Sequence, residues 1–338
     1  MIVELLLKSE REQARALIEA SGLAFEDAVD AMVGLYEDGR LVATGSRAGN
    51  VLKMLAVAPE YQGGSALGEL VTALVIDGRR AGCESFFVYT RPEYAVSFES
   101  LNFSLLARQE KVALLEYGNG LARWLESKKT LVRPGRKGAV VVNCNPFTNG
   151  HLHLIESAAR ELDWLYIFVV REDRSVFPFE VRYRLVEQGT RSIANAIVLD
   201  TSRYIVSGAT FPTYFLKKDD PVARIQMALD LTLFATKIAP FFGIARRCVG
   251  TEPNDPMTAA YNRSMTEILP TYGIEVRIVE RKRTANEVIS ASRVRELIGQ
   301  GDFSALADHV PATTLAYLTS DAAKPVRERL SASENYGA

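Results

Sequence analysis

From residue 138 onward, short apolar runs alternate with stretches of helical period, and no other feature of the chain narrows its possible folds as far. Ala139–Val142, Trp164–Val170 and Ala196–Leu199 are almost continuously apolar and have strand length. Arg247-Cys248-Val249 leads into a loop, and Glu275–Val279 reads as one more strand. Between them His151–Leu162 sets Leu152, Ile155, Ala159 and Leu162 along one stripe. Glu180–Ser192, Pro221–Phe241 and Thr258–Leu269 read as helices, and Ser292–Ile298 begins the closing ones. Apolar strands separated by helical crossovers specify a parallel sheet covered on both faces. Ligands of such sheets lie beyond the carboxyl ends of the strands. The loops after Val142, Val170, Leu199 and Val249 are therefore expected on one rim.

The first part of the chain has another rhythm. Glu10–Ala20 reads as a helix, and Glu37-Asp38-Gly39 as the turn of a hairpin between Leu35-Tyr36 and Leu41-Val42-Ala43. Val51–Val57 alternates as a half-buried strand, Gly68–Ala81 is helical, Phe86–Tyr89 is a strand, Ser97–Leu101 a short helix, and Val112–Leu115 closes the region. This is an α+β module with mixed strands. A basic stretch with Pro134-Gly135 and little apolar material separates the two parts. The expected organisation is a domain over 1–128, a linker over 129–137 and a second domain over 138–338.

With 338 residues, 48% of them hydrophobic, the chain can bury two cores. A net charge of −1 gives no broad footprint for nucleic acid or an anionic membrane. Its three cysteines, Cys83, Cys144 and Cys248, lack metal-type spacing and suit a reducing cytoplasm. Three histidines are too few to suggest a zinc site. The amino terminus carries Glu4 where a signal peptide has basic residues, and its apolar run is short.

Within this frame one turn draws attention. Asn143-Cys144-Asn145-Pro146-Phe147-Thr148-Asn149-Gly150-His151 leaves the first apolar strand of the second domain and opens a helix. A helix start offers free N–H groups and the positive end of a dipole, which suits phosphate. Gly150 lets backbone approach a ligand. His151 can donate to a phosphate oxygen, whereas His153 lies about 200° further round the helix. An Asn-Pro turn with an ordinary helix cap explains the same local spacing equally well. Far along the chain, Ile289-Ser290-Ala291-Ser292-Arg293-Val294-Arg295 offers a second helix start with hydroxyls and a cation one turn in.

Together the strings TNGH and ISASRVR resemble the T/H-x-G-H nucleotidyltransferase superfamily. That resemblance implies a Rossmann-like α/β domain in which His151 and Thr148 serve the triphosphate and Ser290, Ser292 and Arg295 the leaving pyrophosphate. Asn145, Phe147 and Gly150 join the ATP contacts. Phe177-Pro178-Phe179-Glu180-Val181-Arg182 resembles a loop of pantetheine-phosphate adenylyltransferases and adds Arg182. Three further strings occur in order between the two motifs: Tyr204–Phe215, Val249-Gly250-Thr251-Glu252-Pro253 and Tyr261-Asn262. With them the whole chain is similar to the citrate lyase ligase family. For the acetate site the resemblance offers Thr210, Phe211, Tyr214, Glu252, Tyr261 and Asn262, with Glu252 also able to orient a cation or a nucleotide hydroxyl.

The first domain resembles a Gcn5-related N-acetyltransferase, through Leu55–Gly64 and Ser97–Phe103. It departs from that pattern at Ser65, where glycine is usual, at Leu67, where Gly or Ala is usual, and at Asn102. A leucine would crowd backbone contact with a pyrophosphate. The domain is then expected to bind acetyl-CoA, to dock the prosthetic group or carrier, or to serve structure alone.

The resemblance implies a ligase that uses ATP, with Mg²⁺, to acetylate the prosthetic-group thiol on the acyl carrier subunit of citrate lyase. Acetyl-adenylate is the intermediate, and AMP and pyrophosphate are released. Alternatives are a phosphopantetheine- or nicotinamide-mononucleotide-type adenylyltransferase and an acyl-carrier docking protein.

Overall fold

The structure is a computed structural model that describes residues 1–171, 175–204, 212–217, 220–252, 255–284 and 288–334. Its contacts divide the chain into two compact units: Met1–Ser127 with Thr210–Leu233, and Lys128–Ala209 with Phe234–Ala338.

In chain order the first unit contains β1 (Ile2–Glu4), α1 (Lys8–Ala20), β2 (Ala31–Glu37), β3 (Arg40–Ala48), β4 (Val51–Val57), α2 (Ala66–Arg80), β5 (Phe86–Thr90), α3 (Ala95–Glu99), β6 (Ser104–Arg108), β7 (Ala113–Tyr117) and α4 (Gly120–Ser127). Its seven strands lie in the order β1-β2-β3-β4-β5-β7-β6. Asp38 and Gly39 both take positive φ, 50° and 77°, so the expected hairpin turns with the twist of its strands. All neighbours are antiparallel except β4 and β5, whose parallel ladder holds only Val51↔Phe87 and Leu52↔Val88. Helix α2 buries Ala66, Leu70, Val71, Leu74, Val75 and Gly78 on the sheet. Gly78 is required there, since a Cβ would fall 2.2 Å from the Phe86 ring.

The second unit opens with β8 (Lys137–Val142), α5 (Asn149–Arg160), β9 (Trp164–Val169), α6 (Phe179–Gly189) and β10 (Ala196–Asp200). The next helix, α7 (Val222–Leu233), is counted with the first unit. The second unit resumes through α8 (Ala239–Phe242), β11 (Ile244–Gly250), α9 (Pro256–Ile268), β12 (Glu275–Val279) and α10 (Ala291–Gly299), and short helices close it. Its five strands are all parallel, in the order β10-β9-β8-β11-β12. This is the expected α/β architecture, and it sets the carboxyl ends of β8, β9, β10 and β11 along one edge.

Two boundaries differ from the sequence reading. Residues 129–137 are not a free tether: Tyr166 Oη accepts from the Arg133 amide at 3.1 Å and donates to the Leu131 carbonyl at 2.9 Å, the Arg133 guanidinium lies over Trp164, and β8 already begins at Lys137. Thr210–Leu233, read as part of the second domain, folds with the first unit. Val222–Phe242 is long and apolar enough to cross a bilayer, but 67% of its most apolar window is buried inside protein, as in a core helix.

Candidate active site

Strand β8 is central, and the chain leaves it toward β9 on one side and returns at β11 on the other. Such a reversal opens a crevice at the carboxyl end, and the loop 143–148 runs there into α5. Thr148 caps that helix with extended backbone (φ −120°, ψ 167°). Its hydroxyl accepts the His151 amide at 3.3 Å and lies 2.9 Å from His151 Nδ1, which also accepts the Thr148 amide at 3.1 Å. With Nδ1 accepting from backbone, the ring proton sits on Nε2. Phe147 lies nearly parallel to the imidazole, ring centroids 6.0 Å apart. Burial, and then the positive charge of Arg281, push the His151 pKa down to about 4. His151 is thus a neutral donor at ordinary pH.

The two motifs separated by some 140 residues of chain meet at this turn. A Cβ on Gly150 would lie 3.1 Å from the Ile289 carbonyl oxygen. Ser290 caps α10 by accepting the Arg293 amide at 3.1 Å. Arg295 donates to the Asn145 carbonyl at 2.7 Å and to Ser292 Oγ at 3.0 Å. Asn145 Oδ1 in turn accepts the Phe177 amide at 3.0 Å. Two helix starts therefore face the end of one strand. Each caps itself with a hydroxyl, and the amides of Asn149, Gly150, Ala291 and Ser292 make no hydrogen bond among the described residues.

Several expected contacts have other work. Thr148 is 1% exposed, and its hydroxyl is engaged by His151, so it positions the imidazole instead of touching triphosphate. Phe147 is fully buried beneath His151 and against Gly189. Arg182, expected at phosphate, is 0% exposed; its guanidinium donates to the carbonyls of Asn143, Val170 and Phe177 and to Asn143 Oδ1, within 3.0 Å in each case. It joins the loops after β8 and β9 from within.

The residues expected at the acetate site are divided between the two units. Tyr214 belongs to the first unit, where its hydroxyl donates to the Tyr89 carbonyl at 2.9 Å. There it helps wall a cavity of about 360 Å³ along the parted ends of β4 and β5, together with Leu67 and Gly63-Gly64. Thr210 and Phe211 lie outside the described residues. Asn262, on α9, donates to the Gly250 carbonyl at 3.0 Å, and its buried Oδ1 has no partner among the described residues. Tyr261 is half-buried on the same helix.

Glu252 is nearly buried and pairs with Arg281, a residue the sequence reading passed over. Arg281 also takes Thr251 as partner, its amide donating to Thr251 Oγ1 at 3.2 Å and its Nε to the Thr251 carbonyl. No local signal marks it, because it heads the basic run Arg281-Lys282-Arg283.

A profile of the citrate lyase ligase C-terminal domain matches residues 137–318. A [citrate [pro-3S]-lyase] ligase from Escherichia coli K12 is 39% identical over 309 residues, covering 89% of this chain and 88% of its own length. The chain belongs to the citrate lyase ligase family. The family's Klebsiella pneumoniae enzyme is likewise 39% identical, over 92% of this chain and 93% of its own. Among solved structures, Thermotoga maritima TmcAL bound with alpha-thio ATP is similar over 54% of this chain and 55% of its own (15% identity, TM-score 0.36). A GCN5-related N-acetyltransferase from Rhodopseudomonas palustris is similar over 35% of this chain and 94% of its own (17% identity, TM-score 0.29). Likenesses this loose carry no weight for the site.

Proposed function

We propose that this ligase activates citrate lyase in the cytoplasm by acetylating a prosthetic-group thiol on its acyl carrier subunit, at the expense of ATP. The observation that supports this most is the meeting of two self-capped helix starts at the end of β8, with a neutral histidine donor between them. Such a place suits a polyphosphate. Acetate needs no activation as a nucleophile, since it is already ionised. One of its oxygens bonds to the α-phosphorus while the bond to the bridging α–β oxygen breaks, and pyrophosphate leaves. The thiol sulfur then bonds to the acetyl carbon of acetyl-adenylate as the anhydride C–O bond breaks; AMP departs and the thiol proton passes to solvent.

In this scheme the protein contributes position and charge. His151 Nε2–H and the unbonded amides of α5 face the phosphates, Ser290, Ser292 and Arg295 hold the leaving pyrophosphate, and Thr148 fixes the imidazole. Mg²⁺ enters with the substrate, as MgATP, with ligands from phosphate oxygens and water.

Incubation with deacetylated citrate lyase, ATP and acetate tests the reading. Thiol loss, one AMP per thiol and recovered citrate cleavage are expected. A stable dinucleotide formed from phosphopantetheine or nicotinamide mononucleotide, with the thiol untouched, would replace this reading by the adenylyltransferase one.

A further inference from the structure

The loop after β12 connects Arg281 to the phosphate site by a short path through backbone. The Lys282 carbonyl accepts the Ile289 amide at 3.1 Å, and Arg283 bridges to Val288. Ile289 is the residue whose carbonyl lies against Gly150. Arg281 is thereby anchored beside the two helix starts, and its side chain runs alongside Gly250, where a Cβ would lie 3.9 Å from Arg281 Cγ.

The guanidinium is held on two sides. Its Nε donates to the Thr251 carbonyl and its Nη2 to Glu252, whose other carboxylate oxygen accepts the Asp255 amide at 3.1 Å. Nη1 has no acceptor among the described residues, and the side chain is one quarter exposed. A planar cation clamped along one edge, with donors left on the other, is arranged to receive an anion, since a guanidinium presents its donors as a rigid fork. His151, being neutral, supplies the site with a donor but no charge, and Arg295, which also bonds Asn145 and Ser292, brings a single positive charge. A bound polyphosphate carries several negative charges and needs a further cation.

We propose that Arg281 is that cation, contacting the polyphosphate from the β12 side, and that Glu252 and Thr251 are positioning residues that aim it. This deepens the ATP reading of the same site and rests on it. It also moves Glu252 from the acetate pocket to the support of the phosphate site.

Calorimetric binding of ATP, inorganic tripolyphosphate and AMP, together with acetate-dependent ATP–pyrophosphate exchange, tests the assignment. Arg281→Gln is expected to weaken ATP and tripolyphosphate by about ten-fold or more, the scale of one charge-assisted contact, and to change AMP binding little. Arg281→Lys should recover part of the affinity. Glu252→Gln should lower kcat more than it raises the KM for ATP, with Glu252→Asp intermediate. Should Arg281→Gln lose its fold, Arg281→Lys and Glu252→Gln still carry the test through the ATP-to-AMP affinity ratio. Wild-type affinity for tripolyphosphate in Arg281→Gln, or an unchanged ATP-to-AMP ratio in the other two, overturns the proposal and leaves the acetate reading intact. Polyphosphate binding that needs Arg281 in a protein without acetate-dependent exchange overturns that reading and supports Arg281.

Discussion

His151 donates from Nε2 because Nδ1 is committed to the Thr148 amide, and it stays neutral because burial and Arg281 disfavour its charged form. Losing a donor of this kind typically lowers a rate by about 10²–10³-fold, so His151→Ala should lose that much exchange activity while remaining folded. The pH dependence has a definite sign. With a folded pKa of about 4 and an unfolded one of about 6.5, the unfolded chain binds more protons between those values. The contribution to stability is therefore complete above about pH 6.5 and declines as pH falls toward 4. Melting scans should show a shallower acid decline in His151→Gln than in wild type. In the free enzyme the ring should also give kcat/KM for ATP no limb near 6.5. Arg182 makes a different kind of prediction. Arg182→Met would strand the carbonyls of Asn143, Val170 and Phe177 in a buried place, and should destabilise by about 3 kcal/mol or more in urea unfolding. Sequence alone could not assign Arg182, since a phosphate-binding arginine and a carbonyl-binding one look the same until burial is known.

At the scale of elements, the site depends on how closely α5 approaches Ile289, just before α10. Gly150 sets that distance: a Cβ would sit 3.1 Å from the Ile289 oxygen and 3.4 Å from Thr148 Oγ1. The Ile289 oxygen must yield by a few tenths of an ångström. Gly150→Ala should leave the melting temperature nearly unchanged, because the helix and its cap persist, yet lower exchange by roughly ten-fold, as small misplacements of reacting groups do. The two motifs were legible because each carries its own chemistry at helix spacing: a cap hydroxyl and a small residue, joined by a histidine in the first and an arginine in the second. Arg281 was not, because its role comes from Glu252 and Thr251, brought alongside by the pairing of β11 with β12. The parallel sheet was legible from apolar strands alternating with helical stretches. Strand β6 was not: Ser104–Arg108 is mixed in character and finds its place only through pairing with β7.

For the whole molecule, the division of the chain into units is not the division of the sequence into halves. The segment counted from Thr210 to Leu233 has ordinary helical period over α7, and period says which face is apolar but not what covers it. The structure assigns it to the first unit through specific bonds. The Ala24 amide donates to the Tyr214 carbonyl at 2.7 Å, Arg91 donates to the Phe215 carbonyl at 3.2 Å, Gln109 binds Thr232, and Lys111 pairs with Asp220. Tyr214 adds its bond to Tyr89, and Ile225 and Leu229 are buried. A fragment ending at Ser127 would lack all of these and would uncover apolar surface that α7 removes from water, at about 25 cal/mol per Å². Small domains have little stability in reserve. The fragment 1–127 should therefore unfold without a sharp calorimetric transition, and a peptide spanning residues 210–233 should restore one at saturating concentration. A sharp transition in the fragment alone, unmoved by the peptide, would show that the first unit is complete without the segment, and the domain boundary expected from sequence would stand.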